Sequence, residues 1–260
     1  MIKKWSVALL GISVFLLFSF QPRPLQTQAD EAFKRYQLSN IRVFNAYNEK
    51  IDSIDNWLLE KNIGMTNYEV LLQAFKKEDL LEVWVKSCDS DTFTLFKTYK
   101  ICMSSGFLGP KRMQGDRQIP EGVYHINEFN PTSNYHLSLG INYPNKSDSI
   151  LGEKGNLGGE IYLHGGCESI GCIPITTRRI KELYILTMQA RYFGQRRIPV
   201  HIFPCKLTVS NYKVISQSFN NPELSKFWGS LRSLYVYFET NHTLPVMSID
   251  NGGKYLFYPR

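Results

Sequence analysis

His164-Gly165-Gly166-Cys167-Glu168-Ser169-Ile170-Gly171-Cys172, entered from the apolar run Glu160-Ile161-Tyr162-Leu163, is the stretch that sets the reading of this chain. It gathers an imidazole and two thiols in one Gly-rich turn at the end of a strand-like segment. A cysteine attacks a carbonyl as thiolate, so it needs an imidazole or a helix N-terminus to help remove a proton whose ordinary pKa is about 8.5. His164 offers the first. The second would come from the turn through Ile173-Pro174-Ile175 into a helix capped by Thr176 or Thr177. Gly171 lets the backbone approach a substrate closely, and N–H groups near Cys172 can then cradle an oxyanion. Two plainer readings stay open on the same residues. Cys167 and Cys172 can close a short disulfide loop, or His164, Cys167 and Cys172 can bind zinc with Cys205 or His201, although the spacing matches no common finger or ribbon.

Ser169-Ile170-Gly171-Cys172 resembles the Ser/Thr-His-Gly-Cys signature of L,D-transpeptidase catalytic domains of the YkuD-like type, with His164-Gly165 in the place of the upstream His-Gly or His-Ser. Gly109-Pro110-Lys111-Arg112, Gly115-Asp116 and Pro120-Glu121-Gly122 with Tyr124 are similar to that family's strand-turn ahead of the site. Tyr135-His136-Leu137-Ser138-Leu139-Gly140-Ile141-Asn142-Tyr143-Pro144 is similar to its YafK-type subgroup. The resemblance runs from about Leu81 to Cys205. It implies an α+β, mostly β fold, a β-sandwich or barrel with a long helix after the catalytic cysteine.

The resemblance also implies a mechanism. Cys172 would attack the carbonyl of meso-diaminopimelate in a peptidoglycan stem peptide, and His164 would take the thiol proton and return it to the leaving amine. The Gly165 carbonyl would orient the imidazole, while N–H groups at Gly171 and Cys172 stabilise the oxyanion. The acyl-thioester passes to an amine, giving a cross-link or attachment of a wall-linked protein, or to water. This chemistry calls for no cofactor and no metal.

Three departures bear on the outcome. Ile170 stands where most of the family has a second His, Pro174 where an Arg often follows the Cys, and the interval from His164 to Cys172 is shorter than usual. Each lost charge-assisted hydrogen bond is worth about 1.5 to 3 kcal/mol, so a second stem peptide is held weakly and water competes for the thioester. Hydrolysis or protein release is favoured over cross-linking. The rival from another class is a non-catalytic module that holds stem peptides in the same groove without cutting them.

Lys111, Arg112 and Arg117 lie on a loop that the resemblance places near the groove, which makes them candidate anchors for substrate carboxylates. Tyr124, by the same resemblance, lines the cleft from its strand. Ser169 flanks the site and is suited to fixing the turn by bonding backbone. Glu168 reads as a solvated loop charge. His125 and His136 read as structural histidines in strand-like segments.

Composition sets the expected compartment. Lys3-Lys4 followed by an uncharged apolar run from Trp5 to Phe20 reads as a secretory signal within residues 1–29, with Thr27-Gln28-Ala29 as a small-residue cleavage site or the whole kept as an N-terminal anchor. With no Cys beside that run, a lipoprotein anchor is excluded. The expected location is the periplasm or cell envelope of a bacterium, with membrane contact only through an uncleaved N-terminus. Five cysteines leave at least one thiol unpaired, with Cys88 and Cys102 either paired or buried and Cys205 a core residue. A net charge of +7 suits an anionic partner, but Lys and Arg are dispersed and no nucleic-acid motif occurs.

The remaining pattern divides the chain into blocks. Residues 30–67 carry Phe33, Tyr36, Val43, Phe44, Tyr47, Ile51, Ile54 and Leu58 at partly helical spacing, which predicts one or two amphipathic helices. Residues 68–205 hold the catalytic block. Its runs Val70–Phe75, Leu81–Val85 and Phe93–Tyr99 predict strands of a mostly antiparallel sheet, and Thr176 to Phe193 predicts a helix stopped by Gly194. Residues 206–260 form a C-terminal extension packed on the domain, with a helix through Phe227, Trp228, Leu231, Leu234, Tyr235 and Phe238 and a last strand at Tyr255–Tyr258.

Overall fold

The computed structural model describes residues 27–259. The signal or anchor expected at residues 1–29 lies almost wholly outside them, and among the described residues no helix is long and apolar enough to cross a membrane. Thr27 and Asp30 form a capping box that opens α1 (Gln28–Ser39), and the Asn40 side chain caps α2 (Ile41–Glu60). One face of α2 buries Val43, Ala46, Ile54 and Leu58. These two helices are the amphipathic pair that the spacing predicts.

The chain then forms β1 (Tyr68–Phe75), β2 (Leu80–Ser87), β3 (Thr94–Lys100), β4 (Gly122–Asn130) and β5 (Ser138–Ile141), followed by the short α3 (Lys146–Leu151). Next come β6 (Tyr162–His164), β7 (Ile173–Pro174), α4 (Thr177–Tyr192) and β8 (Pro199–Phe203). The first eight strands make one sheet in the order β3-β2-β1-β8-β4-β5-β6-β7, curled into a half-barrel. Pairing is antiparallel except at β1–β8 and β6–β7, which are parallel. The β1–β8 pair is made possible by the long crossover through the site and α4.

Both faces of the sheet are covered, and β1 shows why its sequence is an almost unbroken apolar run. Val70, Leu72 and Ala74 join the main core with residues of α2 and α4, whereas Leu71 and Phe75 join clusters built with the C-terminal region. Helices therefore supply the layers that pack on the sheet, and among the described residues helical ones outnumber strand ones. The C-terminal region consists of α5 (Val209–Phe219), α6 (Pro222–Asn241) and the hairpin β9 (Val246–Ile249) and β10 (Tyr255–Tyr258). α6 buries Phe227, Trp228, Leu231, Leu234, Tyr235 and Phe238, as its spacing predicts. α3, α5 and β9 carry no signal strong enough to read from sequence.

α4 joins the N-terminal helices to the sheet. Tyr184 Oη donates to Gln37 Oε1 at 2.5 Å, and Arg191 pairs with Asp30 at 2.8 Å. Burial pushes the Asp30 carboxyl up, but hydrogen bonds from Arg191 and Thr27 and the charge of Arg196 outweigh it, leaving the pKa at about 2.

On the opposite face of β8, His201 is 3% exposed, with Nδ1 3.4 Å from the Gln73 amide nitrogen. Burial lowers its pKa to about 3. An unfolded chain takes up this proton below about pH 6.5 while the folded chain does not, so His201 withdraws stability as pH falls from 6.5 towards 3. We expect His201→Gln to lose less stability than the parent on acidification, the gap between the two moving by about 2 kcal/mol in the variant's favour between pH 8 and pH 5. Urea unfolding at the two pH values measures it, and parallel curves would refute the assignment. Asp148, whose carboxyl burial raises to about 6, acts with the opposite sign but equally in both proteins.

Candidate active site

Three short strands set the site. Ser138 of β5 faces His164 of β6, Gly140 faces Tyr162, and β6 runs parallel to β7 with Leu163 beside Ile173. Alternation along β6 turns Leu163 into the core and leaves Tyr162 and His164 on the other face. There they line a groove of about 430 Å³ together with Asn130, Tyr135, Glu160, Ile170 and Cys172. His164 and Cys172 thus share one groove although seven residues of loop separate them.

The imidazole is fixed on two sides. Its Nδ1 lies 2.5 Å from the carbonyl oxygen of Gly165, and a carbonyl only accepts, so Nδ1 carries the hydrogen and Nε2 is left as the basic nitrogen. Tyr135 stacks on the ring with centroids 4.4 Å apart. Burial lowers the His164 pKa, opposed by the Gly165 hydrogen bond and by the charge of Glu168. A Cβ at Gly165 would collide with the Tyr135 carbonyl oxygen, which explains glycine beside the histidine.

Cys172 is a reduced thiol, half-buried, and its Sγ donates to the Glu160 carbonyl oxygen at 3.6 Å. Burial raises its pKa, with a smaller downward contribution from the Tyr162 N–H and an upward one from the Glu160 charge. The resting pair is therefore neutral thiol and neutral imidazole. The helix terminus does less than the sequence suggests: Thr176 occupies the N-cap of α4 but makes no side-chain cap bond, and the Thr177 hydroxyl instead accepts from the Gly166 N–H at 3.4 Å.

Ser169 locks the turn before the thiol. Its hydroxyl donates to the Cys172 carbonyl at 2.7 Å and accepts from the Gly171 N–H at 3.3 Å. The Gly171 N–H expected to face an oxyanion is thus directed at Ser169. Gly171 adopts φ 126°, and a Cβ there would press on the Gln118 carbonyl at 3.2 Å.

The disulfide joins Cys102 to Cys167, with Cα atoms 5.6 Å apart, in place of the Cys167–Cys172 or Cys88–Cys102 pairs the sequence allows. It takes Cys167 out of any zinc set with His164 and Cys172, and it ties the site loop to the segment that leaves β3. Ser105 and Ser169, with oxygens 3.1 Å apart, reinforce the same seam. Cys167→Ser should lower stability by about 3 kcal/mol, since the bridge closes a loop with sequence separation 65, while turnover survives in folded protein because Cys172 is untouched. Calorimetry with a parallel activity assay reads both, and total loss of turnover in folded protein would implicate Cys167 in the chemistry.

The basic loop is arranged differently from the expected carboxylate clamp. Lys111 is buried and pairs with Asp116 at 2.6 Å, Arg112 pairs with Asp148 at 3.2 Å, and the buried Tyr124 hydroxyl donates to Asp148 at 3.0 Å. None of the three lines the Cys172 groove. Arg117 is exposed at φ 56°, in no ion pair among the described residues and next to Gln118, which touches Gly171. Glu168 is more than a solvated charge, because it accepts from Tyr135 at 3.5 Å and acts on His164. His125 sits in β4 as expected, but His136 lies in the bend before β5 at φ 80°. Tyr135 and Glu160 stand outside the His164–Cys172 motif, and their signals are an aromatic and an acid ahead of strands that converge on the thiol.

A family model described as the L,D-transpeptidase catalytic domain, YkuD, matches residues 81–202. The protein named "Putative L,D-transpeptidase YafK" of Escherichia coli (strain K12) is 37% identical over 185 residues, spanning 70% of this chain and 72% of that protein. Its counterpart in Escherichia coli O157:H7 gives the same figures. Among solved structures, the helical cell shape determining protein Pgp2 from Campylobacter jejuni aligns with TM-score 0.42 at 16% identity, covering 71% of this chain and 74% of that one. Bd1075 of Bdellovibrio bacteriovorus aligns with TM-score 0.40 at 17% identity, over 71% and 78% of the two chains. With a relative 37% identical over 70% of the chain and the family model matching residues 81–202, the chain belongs to the L,D-transpeptidase family.

Proposed function

We propose that the protein is an exported cysteine enzyme of the bacterial envelope that acts on peptidoglycan stem peptides at meso-diaminopimelate through an acyl-thioester. The observation that carries this is the shared groove of Cys172 and His164, with the His164 Nδ1–H held by Gly165 so that Nε2 is free to act as base. Burial raises the thiol pKa and lowers the imidazole pKa, so the proton moves from sulfur to Nε2 during attack rather than beforehand. The thiol first turns from the Glu160 carbonyl towards the imidazole. His164 then returns the proton to the leaving amine, and the Cys172 N–H is the donor assigned to the oxyanion, since Ser169 holds that of Gly171. Arg117 is the residue proposed to anchor a substrate carboxylate.

Water is the preferred acceptor in this proposal. Ile170 is 80% exposed at the groove where a second imidazole would stand, so it offers no hydrogen bond to hold an incoming stem peptide. Mass spectrometry of wall fragments incubated with the enzyme should show loss of a C-terminal or protein appendage without gain of dimers, and no change with Cys172→Ala. Efficient dimer formation at modest substrate concentration would restore cross-linking, and unchanged fragments with the parent protein would remove the reading.

The pH profile follows from the same pair. We expect kcat/KM to hold through neutral pH and to fall only below 6.5, because burial lowers the His164 pKa from that value. A flat acid limb would count against His164 as base.

A further inference from the structure

Among the described residues that line the groove, Glu160 is, besides His164 and Cys172, the one ionisable acid or base apart from the phenols, and none is a Lys or Arg. In a chain of net charge +7 this is a local reversal of sign. Three further observations bear on the residue. Its carboxylate stands in no ion pair among the described residues and is exposed to solvent. It adopts φ 56°, directly after Gly158 and Gly159, at a position where a third glycine would sit without strain. Finally, its backbone carbonyl receives the Cys172 thiol at 3.6 Å and its charge acts on that thiol. A non-glycine residue kept in the left-handed region, its carboxylate without a hydrogen-bond or ion-pair partner among the described residues, points to a side chain that serves something outside the chain.

We propose that Glu160 is a specificity-determining residue that selects a substrate bearing an ammonium group next to the carbonyl attacked by Cys172. This deepens the reading of the groove given above and names the charge of the group it accepts. The neighbouring acids support the same sign: Tyr162, whose hydroxyl donates to Glu128 at 3.0 Å, and Tyr135, whose hydroxyl donates to Glu168, line the groove together with His164. A carboxylate entering beside Cys172 meets repulsion from Glu160, while an ammonium gains a charge-assisted contact. Recognition of the anionic part of a zwitterionic substrate then falls to Arg117, outside the groove lining.

Charge-matched thiol reagents test the proposal without relying on any wall substrate. Cys172 modification by a trimethylammonium-ethyl methanethiosulfonate and by a sulfonato-ethyl methanethiosulfonate is followed by peptide mass spectrometry, with 2-mercaptoethanol correcting for intrinsic reactivity. The corrected cation-to-anion rate ratio should exceed one by about five-fold at low salt and shrink as salt is added. Glu160→Gln should abolish most of that preference and Glu160→Asp should keep it, with circular dichroism reporting that both fold. A ratio unchanged in Glu160→Gln, or a parent ratio of one, would overturn the proposal. A collapse in the ratio alongside a protein inert on wall fragments would retain this inference and remove the peptidoglycan reading, so the two fail separately.

Discussion

Cys172→Ala should reduce turnover by about 10⁴-fold or more while the protein stays folded, because removal of a covalent nucleophile leaves only binding and oxyanion stabilisation. The structural change is small. Cys172 is half-buried, and its thiol donates one weak hydrogen bond to the Glu160 carbonyl and meets the Tyr162 N–H, so the methyl group should shift stability by no more than about 1 kcal/mol. His164→Ala should fall nearly as far, and the double variant should be little worse than either single one, since the two act as a unit on one proton. Steady-state rates on wall fragments, set beside melting curves for each variant, separate chemistry from folding. A Cys172→Ala protein with more than a tenth of parental activity would show that another group carries the attack. Cys205 is no substitute, being fully buried in the core beneath the C-terminal helices.

Much of this site was legible in the sequence because its parts are local. A His at the end of a strand, a Gly-rich turn and a Cys before a helix lie within one short segment, and strand alternation alone predicts which side chains share a face. The long elements were legible for the same reason: apolar spacing in α2, α4 and α6 and the apolar runs of β1 and β2 are strong periodic signals. The illegible parts depend on distant partners. Cys102 meets Cys167 only because β3 and the site loop converge, which cysteine spacing does not encode. Lys111, Arg112 and Tyr124 look like free surface and cleft groups until Asp116 and Asp148 are brought against them. The apolar run places Glu160 at the start of a strand, whereas β6 begins at Tyr162 and Glu160 lies in the irregular segment ahead of it, with its carbonyl towards the thiol.

Glu121→Ala should destabilise the fold by about 4 to 5 kcal/mol, near the top of the range for breaking a buried ion pair. Glu121 is fully buried, and its carboxylate joins three parts of the chain. One oxygen pairs with Lys76 Nζ at 2.9 Å and accepts from the Gly109 N–H at 2.7 Å, and the other accepts from the Trp228 indole N–H at 2.7 Å. Removing it strands an ammonium that is 4% exposed in its side chain, and leaves an indole and an amide donor without acceptors. The Gly109 and Ile119 carbonyls, which also accept from Lys76 at 2.7 and 3.0 Å, supply partial but not full compensation. Because Lys76 follows β1, Glu121 precedes β4 and Trp228 lies in α6, the loss loosens the C-terminal helices from the sheet. Lys76→Met with Glu121→Leu should recover part of the stability, since an apolar pair of similar volume removes the stranded charge even though the Trp228 donor stays unmet. Urea midpoints for the single and double variants decide it. A single variant that loses less than about 1 kcal/mol would mean that the carboxylate does not bind the C-terminal region to the catalytic sheet.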